Sequence, residues 1–324
     1  MRGGHDGTPW IVAGPIVSGP SEGNAIEPHD VRGREPARPA SPHTPNYVTN
    51  SGKETLKTPS RDWIDIDWAH ADPAEVSRWI AVLPLAATEQ HGPHLPLATD
   101  VLIADAYLAR ARELLSADVP ASFLPVEPIG ISTEHIDYPG TQTLPTEIAL
   151  KKWTGIGEDV ARRGVKKLVI VTSHGGNSAA MMLVAQDLRA HQKLFVVTTS
   201  WSRLSGADGL FPAEEVRHGI HGGAVETSIM LARYPDQVRM DAIADFPASS
   251  VALEQQYRWL STQRPAPFAW QAQDLNPSGA VGNATLAVAE KGERLIDQGA
   301  RAFCELLSEV DNFDVNRLAK GPLG

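Results

Sequence analysis

From residue 79 onward the chain alternates short apolar runs with longer amphipathic stretches. Residues 79–86, Trp-Ile-Ala-Val-Leu-Pro-Leu-Ala, predict a buried strand. Residues 101–115 space their apolar positions as a helix does, and 123–131 predict a second strand. Residues 147–163 predict a helix, with Thr146 after Pro145 as its N-cap. The run 167–173, Lys-Leu-Val-Ile-Val-Thr-Ser, predicts a third buried strand. Residues 178–191, rich in Ala, Met and Leu, predict a helix capped by Asn177. A strand is expected over 194–200, and a helix over 223–234 that stops before Pro235. Residues 245–283 are rich in Pro, Gln and Ser and predict irregular chain, and 285–310 predict a long amphipathic closing helix. No internal repeat is present. Strands alternating with helices of this length require right-handed crossovers. The class is therefore α/β, with a mainly parallel sheet covered on both faces.

Residues 1–60 stand apart. They hold nine of the 25 prolines and eight of the 27 glycines and lack apolar periodicity. Such a segment cannot bury enough surface to offset its chain entropy, so a disordered or foreign N-terminal tail is expected, with the folded domain over 61–324. Residues 10–17 are apolar, but Gly14-Pro15 interrupts them and the basic flank is thin, which argues against a signal peptide. With 42% hydrophobic and 21% charged residues the chain reads as globular. No run of about 18 apolar residues appears, so no membrane span is expected. A net charge of -10 without a cluster of Lys and Arg argues against a nucleic-acid groove. The single cysteine, Cys304, excludes an intrachain disulfide and favours a reducing, cytoplasmic setting. It also leaves His, Asp and Glu to hold any metal.

Thr88-Glu-Gln-His-Gly-Pro-His-Leu-Pro-Leu-Ala-Thr-Asp100 follows the first predicted strand. It sets Glu89, His91, His94 and Asp100 on one loop, the donor types a divalent-metal hydrolase needs. Glu89 and His91 are two apart, so an extended backbone points both the same way. Ser173-His-Gly-Gly-Asn177 and His221-Gly-Gly-Ala-Val-Glu-Thr-Ser228 also follow predicted strands, where open α/β sheets build their sites. Each has a plainer reading. His174 and its glycines suit a structural turn, and Glu226 can complement a helix dipole. His94 can simply pack within its loop. His135 reads as a loop residue, and His191, His218 and Arg217 as surface.

In their order and spacing these segments resemble the creatininase family of metal-dependent amidohydrolases. Glu134-His135 with Pro139-Gly-Thr141 add to the match, and so, more faintly, do Gly279-Ala-Val-Gly282 and Glu290-Lys-Gly292. The resemblance implies a three-layer α/β/α sandwich, a homohexamer and two divalent ions: zinc, manganese or iron. Carried over by position, Asp100 bridges the metals, Glu89 and His174 complete one site, and His91 serves the other. His221 matches the family's catalytic histidine. Creatinine-cleaving members carry a His-Tyr-Glu-Asn motif whose glutamate ligates the second metal, and here Gly176 stands in its place. Glu226 is our candidate for the missing carboxylate, as ligand or proton donor. Arg217 stands where those enzymes have a gating tryptophan. Arg217, Trp201 and Glu134 are the candidate substrate contacts.

The expected activity is hydrolysis of a cyclic or linear amide C–N bond by metal-activated water, on a small-molecule or short-peptide substrate. Within that class, a formylamino-pyrimidine deformylase or a mycofactocin-type peptide hydrolase fits the departures better than creatinine cleavage. A non-catalytic metal-binding scaffold and a metal-dependent phosphatase are the competing classes.

Overall fold

The computed structural model describes residues 57–322, so residues 1–56 of the expected tail lie outside the described residues. The central sheet has four parallel strands in the order β2-β1-β3-β4. They are β1 (Ile80–Leu85), β2 (Ala121–Phe123), β3 (Lys167–Thr172) and β4 (Phe195–Ser200). β1 and β3 pair over their full length, from Ile80 opposite Lys167 to Leu85 opposite Thr172.

The helices run α1 (Pro73–Val76), α2 (Thr99–Leu114), α3 (Thr146–Arg162), α4 (Ser178–His191), α5 (Trp201–Leu204), α6 (Ala213–His218) and α7 (Ala224–Arg233). α8 (Ser249–Gln256), α9 (Ala272–Leu275) and the long α10 (Ala289–Asn312) complete them. Alternate strand residues feed two cores, as the period of two requires. Ile80, Val82, Val169 and Val171 pack with Tyr107 of α2, Met230 of α7 and Phe303 of α10. Ala81, Leu83, Leu168 and Ile170 pack with Trp153 of α3 and Val184 and Leu188 of α4. Helices thus cover both faces, which explains why β1 and β3 are almost continuous apolar runs.

Several predicted boundaries shift for local reasons. The second strand stops at Phe123, because Pro125 and Pro128 have no N–H to give a ladder; beyond it a lone bridge joins Leu85 to Glu127. Thr146 is the first residue of α3 and not its cap; Pro145 holds the cap position without a side-chain bond. The closing helix begins at Ala289, since Asn283 accepts from Thr285 N and turns residues Ala284–Leu286 into a separate 3-10 turn. The stretch predicted irregular, 245–283, carries α8, α9 and short two-residue strands. Of these, β5 (Asp245–Phe246) pairs with β8 (Gly282–Asn283), and β6 (Leu260–Ser261) with β7 (Ala266–Pro267). Among the described residues no helix is long and apolar enough to cross a membrane.

The strand order reverses beside β1: the chain passes from β1 outward to β2, then returns to the other side of β1 as β3. Such a switch point opens a crevice beyond the carboxyl ends of the strands on either side of it. The segments after β1 and β3 enter that crevice.

Candidate metal centre

The loop after β1 is held in shape by its glycine and its neighbours. Gly92 has φ 71°, and a Cβ there would lie 2.6 Å from Ala280 Cβ, so a side chain is excluded on both counts. Glu89 N donates to Leu97 O at 3.0 Å, closing the loop on itself. Asp100 sits in the first turn of α2, where the helix dipole favours its negative charge. After β3, Thr172 pins His174 from both sides: its hydroxyl donates to His174 O at 2.9 Å and accepts from His174 N at 3.0 Å. His221 is placed by a bridge to Val281, and Glu226 lies in the first turn of α7.

Asn177 does not cap α4. Its amide donates to Ala86 O at 3.0 Å and accepts from Ile131 N at 2.9 Å, so it ties the ends of β1 and β3 to the 131 loop.

These segments converge on one buried cluster. His174 Nδ1 lies 3.0 Å from Glu89 Oε1 and 3.4 Å from Asp100 Oδ2. His91 Nε2 lies 3.8 Å from both Asp100 Oδ1 and Glu226 Oε2. One carboxylate, Asp100, therefore turns an oxygen to each side. His221 Nδ1 and His135 Nε2 approach Glu89 Oε1 at 3.6 and 3.5 Å. The rings of His91, His221 and His135 form a stack, with centroids 4.1 Å apart at each step. Outer partners orient the His174 and His91 rings. His174 Nε2–H donates to Ile131 O at 2.8 Å and His91 Nδ1–H to Glu89 O at 3.1 Å, which turns the opposite nitrogen of each ring toward the carboxylates.

The electrostatics show what the cluster lacks. Burial opposes charge on Glu89, yet His174, His221 and His135 hold its carboxyl well below the usual range. Burial and the Glu89 charge push Asp100 up. Burial works against a charged His91 and His174, but the surrounding carboxylates raise them to about 9 and about 10. Burial, with Asp100 adding to it, takes Glu226 to about 7. At His91, Asp100, His174 and Glu226 the shift favours a bound proton, the response of a site that draws positive charge. Glu89 Oε1, His91 Nε2 and Asp100 Oδ2 are buried without a hydrogen-bond partner. An orphaned buried polar atom costs about 1–3 kcal/mol, and a charged one more. Adjacent orphans of this kind fit a cation. Among the described residues, three overlapping donor sets have candidate ligand atoms within 4.8 Å of one another: Glu89, Asp100 and His174; His91, His221 and Glu226; and Glu89, His135 and His221. Imidazole with carboxylate suits zinc, manganese and iron alike.

Not every candidate belongs. Trp201 is 1% exposed and packs between Tyr107, stacked at 4.7 Å, and Phe303; it is a core residue and gives the site no aromatic wall. The Arg217 guanidinium is engaged by Glu254 in bonds of 2.7–2.9 Å, so no free cation is offered to a substrate. Glu134 is at the edge, its Oε1 3.5 Å from His174 Nε2. His94 bonds Thr227 Oγ1 at 2.9 Å and stacks on Phe246, a supporting position. His218 is not a surface residue; it is buried against Ser250, with Nδ1 2.8 Å from its hydroxyl. His135 and Gln90 were missed as members of the cluster. The signal for His135 is its place in the Glu134-His135 motif; Gln90, between Glu89 and His91, carries no signal of its own. Ser132, which donates to Glu89 Oε2, carried no signal at all.

Residues 65–307 match the family model Creatininase, described as creatinine amidohydrolase. A mycofactocin precursor peptide peptidase from Mycobacterium ulcerans (strain Agy99) is 31% identical over 257 residues, 76% of this chain and 89% of the relative. A creatinine amidohydrolase from Pseudomonas putida is 27% identical over 246 residues, 71% of this chain and 89% of the relative. A crystal structure of creatininase superposes with a TM-score of 0.62 at 25% identity, covering 77% of this chain and 97% of that one. Solved creatininases include one described as an Mn form and one as Zn-Zn type. Sequence, sheet and ligand cluster agree: the chain belongs to the creatininase family, hydrolases of carbon–nitrogen bonds.

Proposed function

We propose that the chain is a dinuclear-metal hydrolase of linear amides, with the end of a short peptide as its substrate class. The observation that carries the reading is the set of buried, unpartnered ligand atoms at the switch point. Glu89, Asp100 and His174 would hold one cation and His91, His221 and Glu226 the other. Bound divalent cations supply Lewis acidity, polarising a carbonyl and lowering the pKa of water from about 16 toward 7. His221 is thereby reassigned from the catalytic histidine of the resemblance to a ligand.

The rest is done by the chain's own residues. Glu226 has 21% side-chain exposure against 0% for Glu89 and 2% for Asp100, so it is the acid a substrate meets first. Its Oε2 is fixed by the Gly222 N–H at 2.6 Å. With one oxygen toward the cation, its other oxygen would take the proton of the attacking water and return it to the departing nitrogen. Gly176 and Glu134 shape the other side. A Cβ at Gly176 would lie 2.5 Å from Glu134 Oε1, so the room a side chain at 176 would take is filled by Glu134. The preference for a peptide over a lactam rests on the relatives: the mycofactocin precursor peptide peptidases share 30–31% identity with the chain, the creatinine amidohydrolase 27%. A homohexamer is the proposed assembly, by resemblance.

The test is reconstitution. Metal-free protein loaded with zinc or manganese is assayed on short peptides, formamides and lactams. Metal-dependent release of a peptide's terminal residues is expected. A fully loaded protein that hydrolyses none of the panel refutes the reading, and cleavage of lactams alone overturns the substrate class.

A further inference from the structure

Gln90 meets the ring edges of two stacked imidazoles, His135 and His221, and sets what each presents to the cluster. Its amide has one orientation. Oε1 accepts from Gly92 N at 2.8 Å, and Nε2 donates to Gly279 O at 2.9 Å. Reversing the amide would set oxygen against carbonyl and nitrogen against N–H. The other Nε2 hydrogen points to His135 Nδ1 at 2.7 Å, which must accept it. A neutral imidazole that accepts at Nδ1 carries its hydrogen on Nε2. That is the atom 3.5 Å from Glu89 Oε1.

The backbone of the same residue does the opposite to His221. Gln90 O lies 2.6 Å from His221 Nε2, which must donate to it, leaving Nδ1 as a lone pair 3.6 Å from Glu89 Oε1. The 3.2 Å approach of Gln90 Nε2 to His221 Nε2 is then a contact of two donors and no hydrogen bond. His135 and His221 are stacked, with their planes 25° apart, and both are buried, so neither ring is free to turn. One shows the cluster a hydrogen, the other a lone pair.

We infer that Gln90 is a positioning residue that divides the imidazoles by role. His221 would meet a cation through Nδ1, the nitrogen left with a lone pair. His135, although within reach of a cation beside Glu89, is barred from coordination and donates Nε2–H to the carbonyl oxygen of the amide under attack. The second half rests on the amide-hydrolase reading above. His135 is 3% exposed, so its donor acts out of water, where it stabilises a developing oxyanion more than a ground-state carbonyl.

The tautomers are read directly by 15N-imidazole NMR on the zinc-loaded full chain. His135 is expected as the Nε2–H form with an uncoordinated Nδ1, and His221 as the Nε2–H form with Nδ1 on zinc. Zinc on His135 Nε2, with the hydrogen on Nδ1, overturns the inference. His135→Ala is expected to keep its zinc stoichiometry and to lose roughly 10²–10³ in kcat with KM little changed. Loss of a zinc equivalent overturns the donor role. Gln90→Met removes the amide N–H, so His135 is expected to shift toward the Nδ1–H tautomer with zinc retained. An unchanged tautomer in that variant refutes the positioning role, whatever happens to its melting temperature. If the loaded protein hydrolyses no amide, the functional reading fails while the spectra still decide the tautomers.

Discussion

Gly176→Ala is the sharpest single perturbation of the ligand cluster. Gly176 follows His174 in the turn after β3, and its missing side chain leaves room for three atoms at once. An added Cβ would lie 2.4 Å from His174 Nε2, 2.5 Å from Glu134 Oε1 and 2.5 Å from Ile131 O. Ordinary contact distance is above 3.4 Å, and only the Glu134 carboxylate, at the end of a flexible side chain, can withdraw cheaply. The methyl group would therefore wedge between His174 Nε2 and Ile131 O, whose 2.8 Å hydrogen bond orients the ring. Overpacking of this kind costs about 1–3 kcal/mol, and the lost hydrogen bond about 0.5–1.5. The sum, about 2–4 kcal/mol, corresponds to a fall in Tm of roughly 4–15 °C for a domain of this size. Releasing a ligand ring from its outer partner should weaken metal binding about 10–100-fold. Thermal denaturation of the metal-free protein measures the first effect, and chelator competition the second. A variant with wild-type Tm and wild-type metal affinity would show that the His174–Ile131 bond does not position the ligand.

Other expectations follow from the same geometry. Asp100→Asn removes the carboxylate that faces both donor sets; metal content should fall toward one ion or none and activity be lost, as metal analysis and turnover will show. Metal loading should release about two protons near pH 8, because His91 and His174 carry them at about 9 and about 10 in the metal-free protein. Affinity should then rise with pH through that window, which calorimetry in buffers of different ionisation enthalpy detects; a proton count near zero contradicts it. These raised values also mean that their contribution to metal-free stability is lost as pH climbs from about 6.5 through 9 and 10, so the metal-free Tm should fall there. Arg217→Ala should change kcat/KM less than about twofold, since Glu254 already engages the guanidinium. Trp201→Ala should cost about 3–5 kcal/mol of stability as a core cavity, with metal content kept.

Much of the cluster was legible because its donor residues lie on local motifs. Glu89 and His91 fall within one loop whose glycine and prolines announce a shaped turn, Asp100 opens the helix that follows it, and His174 and Glu226 come at later element ends. What misled the reading was the environment of single side chains. Trp201 follows a strand toward the crevice, but its ring turns into the core beside Tyr107. Arg217 has the charge to hold a substrate, but Glu254, 37 residues on, takes it. Asn177 is a good helix cap by type, but the ends of β1 and β3 claim its amide first.

By itself the sequence determined the alternation of strands and helices, since burial on both faces demands apolar runs and crossovers demand amphipathic helices. It narrowed the donor types as well, since a chain with a single cysteine cannot build a multi-thiolate site and its motifs carry only imidazoles and carboxylates. Tertiary structure decided which donors meet. The switch point brings residues 89, 135, 174, 221 and 226 within a few ångströms across long separations in the chain, and no periodicity encodes that. It also decided which nitrogen each imidazole shows the cluster, because that depends on a partner such as Gln90 O or Ile131 O, which any residue type would supply.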